Sequence, residues 1–245
     1  MQIGFSQPIE LVWLEAAANC AADGLSVVES RARLDELLSH KIAVNSTSKR
    51  SSRNKRVTIL MSTWVTPKRE LFGFRDHALA VLKLASGRER TLVHYAMLIA
   101  TYPFFALVAN HVGRLLRLQD RCSMDQLKRR CREELGQRDT VSFAVTRVIR
   151  TLLDWELLAK GDKTGTYSVG KPIEPAAMGL AELLTEAALI SSGETNGIVE
   201  QIVASPCLFP CQFPSNMVTS HWQSQRLSLT TSEFGGFRVT RLAGR

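Results

Sequence analysis

Residues 123–169 read SMDQLKRRCREELGQRDTVSFAVTRVIRTLLDWELLAKGDKTGTYSV, and the reading of this stretch decides the fold. Ser123 followed three residues later by Gln126 has the form of a capping box, in which hydroxyl and amide side chains satisfy backbone N–H groups at a helix start. Met124, Leu127, Cys131 and Leu135 then mark one helical face, and Gly136 is the expected stop. Gln137, Arg138 and Asp139 make a short turn, with Thr140 as the expected cap of a second helix running to about Glu156. At about 100° per residue, Val141, Ala144, Val145, Val148, Leu152 and Trp155 share one side of that helix. Phe143, Thr146, Arg147 and Arg150 occupy the other. Residues 157–160 and 166–169 are strand-like runs around a Gly-Asp-Lys-Thr-Gly turn, which predicts a hairpin. Helix, turn, helix and basic-tipped hairpin in this order predict a winged helix.

The same stretch holds most of the candidate contact residues for a polyanion. Arg147 and Arg150 have the planar fork that suits guanine edges and phosphates, with Thr146 beside them. Lys160 and Lys163 lie on the wing, where a backbone phosphate contact is natural. Arg138 and Thr140, at the start of the second helix, complete the set. The alternatives are ordinary: Arg150 is four residues before Asp154 and can pair with it. Lys128, Arg129, Arg130 and Arg132 can be a solvated face beside Glu133 and Glu134.

The rest of the charge pattern points the same way. The chain has 245 residues and a formal net charge of +8. Residues 41–56 hold six basic residues and no acid, and residues 112–171 hold thirteen basic against eight acidic. Residues 172–225 contain no Lys or Arg and five Glu, so the basicity belongs to the first 171 residues. Within 49–56, Lys49, Arg50, Arg53, Lys55 and Arg56 form a second candidate contact. The segment is either a loop or the start of a helix continuing through Val57, Leu60, Met61 and Trp64 to Pro67. If helical, Lys49, Arg53 and Arg56 share a face that would suit a phosphate track.

Upstream, Pro8 marks a helix start, with Ile9, Val12, Trp13, Ala16 and Ala17 at helical spacing and Gly24 ending the run. Residues 30–38 and 79–84 predict two further short helices. Residues 91–101 predict another, and Pro103 opens the next, reaching about Leu118. The apolar run 95–109 is shorter than the roughly 20 residues a spanning helix needs, so a buried core pair is expected and no membrane is assigned. His94 and His111 lie inside these helices and read as structural. Downstream, residues 176–190 predict an amphipathic helix, 198–203 a shorter one, 206–214 an apolar loop, and 226–231 with 237–242 a closing hairpin. This acidic, apolar-rich segment either docks a protein partner or covers the core.

Three divisions follow: residues 1–90 as an N-terminal helical domain, 91–171 as a helix pair with the winged helix, and 172–245 as an α+β extension. The fold class expected is mainly α. No catalytic residue, cofactor or metal site is assigned. The chain has no His-Glu-x-x-His, no phosphate-binding loop after Gly161 and no Gly-x-Ser-x-Gly elbow. The five cysteines contain no Cys-x-x-Cys pair, and reduced cytosolic thiols are expected. The first residues lack a basic and apolar leader, so the protein is read as cytoplasmic.

The order of features resembles the BrxA family of BREX bacteriophage-exclusion systems. The resemblance covers residues 9–170. It rests on the Asn45-Ser-Thr-Ser-Lys-Arg-Ser-Ser-Arg-Asn-Lys-Arg56 stretch, the apolar helix pair with its aromatic centre at residues 95–105, and the Arg-bearing helix at 140–155. It implies a non-enzymatic, cytoplasmic accessory protein of a phage-defence locus that binds double-stranded DNA. It further implies an N-terminal bundle like that of antitermination factors followed by a winged helix. Residues 172–245 lie outside the resemblance and are the expected place for other phage-defence proteins to bind. Two alternatives remain open, a protein-docking scaffold of a defence complex and a winged-helix transcriptional regulator.

Overall fold

The computed structural model describes residues 3–39, 41, 51–214, 222, 225–231 and 236–242, and it is mainly helical with two small antiparallel sheets. Helix α1 spans Leu11–Ala22, three residues later than a start at Pro8 would give. The delay has a cause: the backbone N–H of Ile9 donates to Thr151 Oγ1 and its C=O accepts from Trp155 Nε1. Residues whose backbone groups are bonded sideways cannot also form a helical turn. Helix α2 spans Val27–Ser39 and α3 spans Ser52–Leu60. The basic segment is therefore helical from Ser52 onward, capped by the Ser51 hydroxyl, which accepts from Asn54 N at 3.2 Å. Lys49 and Arg50 lie outside the described residues. The helix widens into a π turn, Met61–Val65, before Pro67 ends it.

Helix α4 is longer than its sequence pattern suggests, Phe72–Leu84 instead of residues 79–84. Phe74, Ala78, Val81 and Leu82 bury one face at i, i+4, i+7 and i+8, and that packing carries the helix through Gly73. Helices α5, Glu89–Thr101, and α6, Pro103–Gln119, meet at Tyr102 with a 116° bend. Every residue from Thr91 to Ala100 is buried. No single helix among the described residues is long and apolar enough to cross a membrane.

Next come strand β1, Cys122–Ser123, helices α7, Met124–Leu135, and α8, Asp139–Asp154, and strands β2, Leu158–Lys160, and β3, Thr166–Val169. The capping box is present, with Ser123 Oγ accepting from Gln126 N at 3.2 Å and Gln126 Oε1 accepting from Ser123 N at 2.9 Å. Thr140 is not the cap of α8. Arg138 holds that position without a side-chain bond, and Thr140 lies inside the first turn. The strands form a sheet in the order β1-β3-β2, with Cys122 opposite Tyr167 and Leu158 opposite Val169. The hairpin was legible in the sequence; the two-residue strand β1 that completes the sheet was not.

Helix α9, Leu180–Ser192, departs from the amphipathic pattern expected of residues 176–190. It starts after Gly179, which has φ +80°, and every residue from Leu180 to Leu189 is buried, Glu182, Thr185 and Glu186 included. It packs along α5 inside the same apolar cluster that holds Phe5, Ile9 and the inner face of α8. The acidic C-terminal stretch thus covers the core here. Strand β4, Asn196–Ile198, helix α10, Val199–Val203, and strands β5, Leu227–Thr231, and β6, Phe237–Arg241, follow, in a sheet ordered β4-β6-β5. The 206–214 loop is packed, not exposed. Leu208 is buried, and Pro206 comes so near α6 that a Cβ on Gly113 would lie 1.9 Å from its carbonyl oxygen.

Two ion clusters tie these pieces together. Glu15 on α1 accepts from Arg90 Nε at 2.8 Å and Nη2 at 2.6 Å, and lies 3.2 Å from His94 Nε2. Burial pushes its carboxyl pKa up, but the adjoining His94 and Arg90 outweigh burial and hold it at about 2. Glu186 on α9 accepts from Arg226 Nε at 3.0 Å and Nη2 at 2.7 Å, with Arg241 Nε and His77 Nδ1 each 3.8 Å away. Burial opposes its ionisation too, and the neighbouring His77 and Arg226 bring its pKa below the usual value.

Glu186→Ala removes the carboxylate at the centre of this buried cluster and is expected to cost about 3–5 kcal/mol. The midpoint of denaturant unfolding measures it. For Glu15, a folded pKa below the ordinary 4.5 means that its contribution is complete above that pH and is lost as pH falls from about 4.5 to about 2. Glu15→Gln is expected to lower stability at pH 7 and to flatten the acid limb across that window, as read by thermal unfolding at a series of pH values.

Candidate nucleic-acid interface

The inner face of α8 is apolar and buried: Val141, Ala144, Val145, Val148, Ile149 and Leu152. That burial fixes the helix and turns Phe143, Thr146, Arg147 and Arg150 outward, as the helical period requires. Phe143 is 63% exposed. Among the described residues Arg147 and Arg150 make no ion pair, so the pairing of Arg150 with Asp154 that the sequence allows does not form. Thr146 donates to Ser142 O at 3.1 Å, within its own helix.

Residues 3–10 run between α3 and α8 and bring the two basic elements together. Phe5 sits edge-on to Tyr102 and Phe105, with ring centroids 5.6 and 5.1 Å away. Ile9 is gripped from α8 by Thr151, at 3.1 Å, and by Trp155, at 2.9 Å. Pro8 O accepts from Arg56 Nε of α3 at 3.2 Å. The Arg56 guanidinium lies 5.7 Å from the Trp13 ring centroid and also donates to Ser52 O. Burial lowers the Arg56 pKa, and Arg147 lowers it further; Glu10 opposes this, and Arg150 adds to it. The Arg56 guanidinium of α3 thus lies within the field of the α8 arginines. Glu10, the nearby carboxylate, pairs with Lys41 at 3.0 Å.

The predicted site residues therefore fall into groups. Lys55, Arg138, Thr140 and Arg147 line one cleft of about 540 Å³, with Ile3, Gly4, Ser6, Phe143 and Ala144. Arg138 also donates to Leu135 O at 3.0 Å, closing the end of α7. Arg53 pairs with Asp35 of α2 at 3.0 Å, both side chains partly exposed. Arg56 is half-buried and positions the segment beneath it, and Lys49, the third member of the expected track with Arg53 and Arg56, lies outside the described residues. Lys160 and Lys163 are exposed on the hairpin. On α7, Arg129 lies 3.8 Å from Glu133, both exposed, as a solvated face would have it.

The sequence pattern missed the grip on Ile9. Its signal was present: Thr151 and Trp155 stand at i, i+4 on a buried apolar face, where a hydroxyl and an indole N–H need partners. It also assigned the histidines no carboxylate. His94, His111 and His77 lie 3.2, 2.9 and 3.8 Å from Glu15, Glu134 and Glu186. Burial lowers the pKa of His94 and His111. Among the described residues no three His, Cys, Asp or Glu side chains converge as a metal ion would require. Comparison with protein-family models, with curated protein sequences and with solved structures finds no match for the chain.

Thr151→Val keeps the side-chain volume but leaves the buried Ile9 N–H unsatisfied, and is expected to cost about 1–3 kcal/mol. Faster hydrogen exchange at the Ile9 amide, measured beside global unfolding, separates loss of this grip from a general softening.

Proposed function

We propose that this protein binds double-stranded DNA without acting on it chemically, through the outer face of α8 and the adjoining α3. One observation carries the reading: Arg147 and Arg150 stand outward on α8 with no carboxylate partner among the described residues, and Arg147 shares one cleft with Lys55 of α3 and Arg138. Like charges gathered without counter-charges weaken a fold unless a polyanion neutralises them. The order β1, α7, α8, β2, β3 supports reading this region as a winged helix with α8 as its recognition helix. On that reading Thr146, Arg147 and Arg150 address the major groove, while Lys160 and Lys163 of the wing, with Arg138 and Lys55, take phosphates.

The resemblance of residues 9–170 to the BrxA family extends the proposal to an accessory role in a phage-defence system. Genes for a methyltransferase and an ATPase beside this one would support that part. The docking-scaffold alternative gains little, because two of the five glutamates in residues 172–225 are buried in α9.

Titration of a random duplex by mobility shift at two salt concentrations tests the binding itself. Binding is expected to weaken steeply with salt. Arg147→Ala with Arg150→Ala is expected to weaken duplex binding several-fold or more, about 1–3 kcal/mol for each base contact removed. Unchanged duplex affinity in the double variant would remove this site, and no shift by the natural protein at low salt would remove the proposal.

A further inference from the structure

The cationic cleft has a feature that duplex binding alone does not call for. Phe143, an outward residue in the first turns of α8, lies in the wall of the cleft of about 540 Å³ beside Lys55, Arg138 and Arg147. Its ring makes no aromatic or cation–π pair among the described residues, although such pairs form elsewhere, as for Arg56 over Trp13 and Arg75 over Phe72. An exposed aromatic on its own is ordinary. An exposed aromatic inside a concave site rimmed by three cations is the combination that binds unpaired nucleotides, because the ring accepts the face of a base while the cations hold the phosphates on either side. A paired base offers a protein only its edge, since both faces are covered by the stack. The cleft has the volume of a small-ligand site, which a convex duplex backbone cannot fill but one extruded nucleotide can.

The cleft also continues. Gly4, with φ +56°, forms a wall common to it and to a second cleft of about 430 Å³. The second is lined by Ser62, Thr66, Lys68 and Thr101. Thr101 Oγ1 is buried without a partner among the described residues, and Lys68 lies 3.9 Å from Glu70, both side chains being well exposed. Hydroxyls and a cation in line with the first cleft suit the sugar-phosphate backbone of a departing single strand.

We infer that the cleft between residues 3–6, α3 and α8 receives an unpaired nucleotide, its base stacked on Phe143 and its flanking phosphates held by Lys55, Arg138 and Arg147. The protein would then prefer DNA with a bulge, gap or single-strand junction over fully paired duplex. This inference rests on the DNA-binding reading above and gives it a substrate class.

The test titrates the full chain against two labelled probes of equal length, a fully paired duplex and the same duplex with one unpaired 2-aminopurine. The natural protein is expected to bind the second about 5- to 150-fold more tightly, the contribution of one stacked base. Phe143→Ala is expected to bring the ratio of the two affinities to about one, and Phe143→Trp to keep the preference. Phe143→Leu, apolar but without a π face, is expected to behave as the alanine variant does. The 2-aminopurine emission is expected to change on binding to the natural protein and not to Phe143→Ala. Because Phe143 is exposed, these variants are expected to unfold at the natural midpoint. Equal affinity of the natural protein for both probes overturns the inference and leaves duplex binding standing. A preference that survives Phe143→Ala overturns it too, by assigning the discrimination elsewhere. Binding of neither probe removes the DNA-binding reading together with the inference.

Discussion

The backbone of Ile9 is the point on which the arrangement turns. Its N–H and C=O are taken by Thr151 and Trp155, one helical turn apart on α8 and its C-terminal cap. The side chain of Ile9 is fully buried, so neither backbone group has water as an alternative partner. This pair of hydrogen bonds holds residues 3–10 against α8 and delays α1 to Leu11. It also places Pro8 O where Arg56 of α3 can reach it. Two basic elements nearly a hundred residues apart in the chain are joined through this one strip of backbone.

The charged side chains divide according to how water reaches them. Where a carboxylate is buried or half-buried, guanidinium and imidazole groups gather about it: Arg90 and His94 about Glu15, Arg226, Arg241 and His77 about Glu186. In a medium of low dielectric an unpaired charge is costly, so these clusters are closed and serve to join α1 to α5 and the second sheet to α9. Around the outer face of α8 the opposite holds. Arg147, Arg150, Lys160 and Lys163 stand without ion pairs among the described residues, Arg150 unpaired even with Asp154 on its own helix, while Glu10 pairs with Lys41 and Asp35 with Arg53. The proposed affinity for nucleic acid follows from that asymmetry more than from the total of +8.

Helix α9 shows how composition misleads when a segment is buried on all sides. Leu180, Leu183, Leu184 and Ala187 mark one face by spacing, and Glu182, Thr185 and Glu186 then read as the wet face. They are buried nonetheless, because α4, α5 and the second sheet enclose α9 and supply Arg226 as a partner for Glu186. A glutamate facing a guanidinium inside the protein and one facing water have the same spacing in the chain.

What the sequence determined by itself was local: the capping box at Ser123, the stop at Gly136, the two faces of α8, the hairpin after it, the bent apolar pair at Tyr102, and the strands that close the C-terminal end. Each follows from hydrogen bonds and apolar periods within about a dozen residues. Tertiary structure alone decided which cations stay open. Arg53 and Arg147 look alike in the chain, yet one meets Asp35 across a helix interface and the other meets no carboxylate among the described residues. It also decided where α1 begins, that Phe143 stands in a cleft, and that the acidic C-terminal helix lies inside the core. These depend on partners far apart in sequence, and burial, which sets the energy of a charge or an unpaired N–H, belongs to the assembled chain and not to any segment of it.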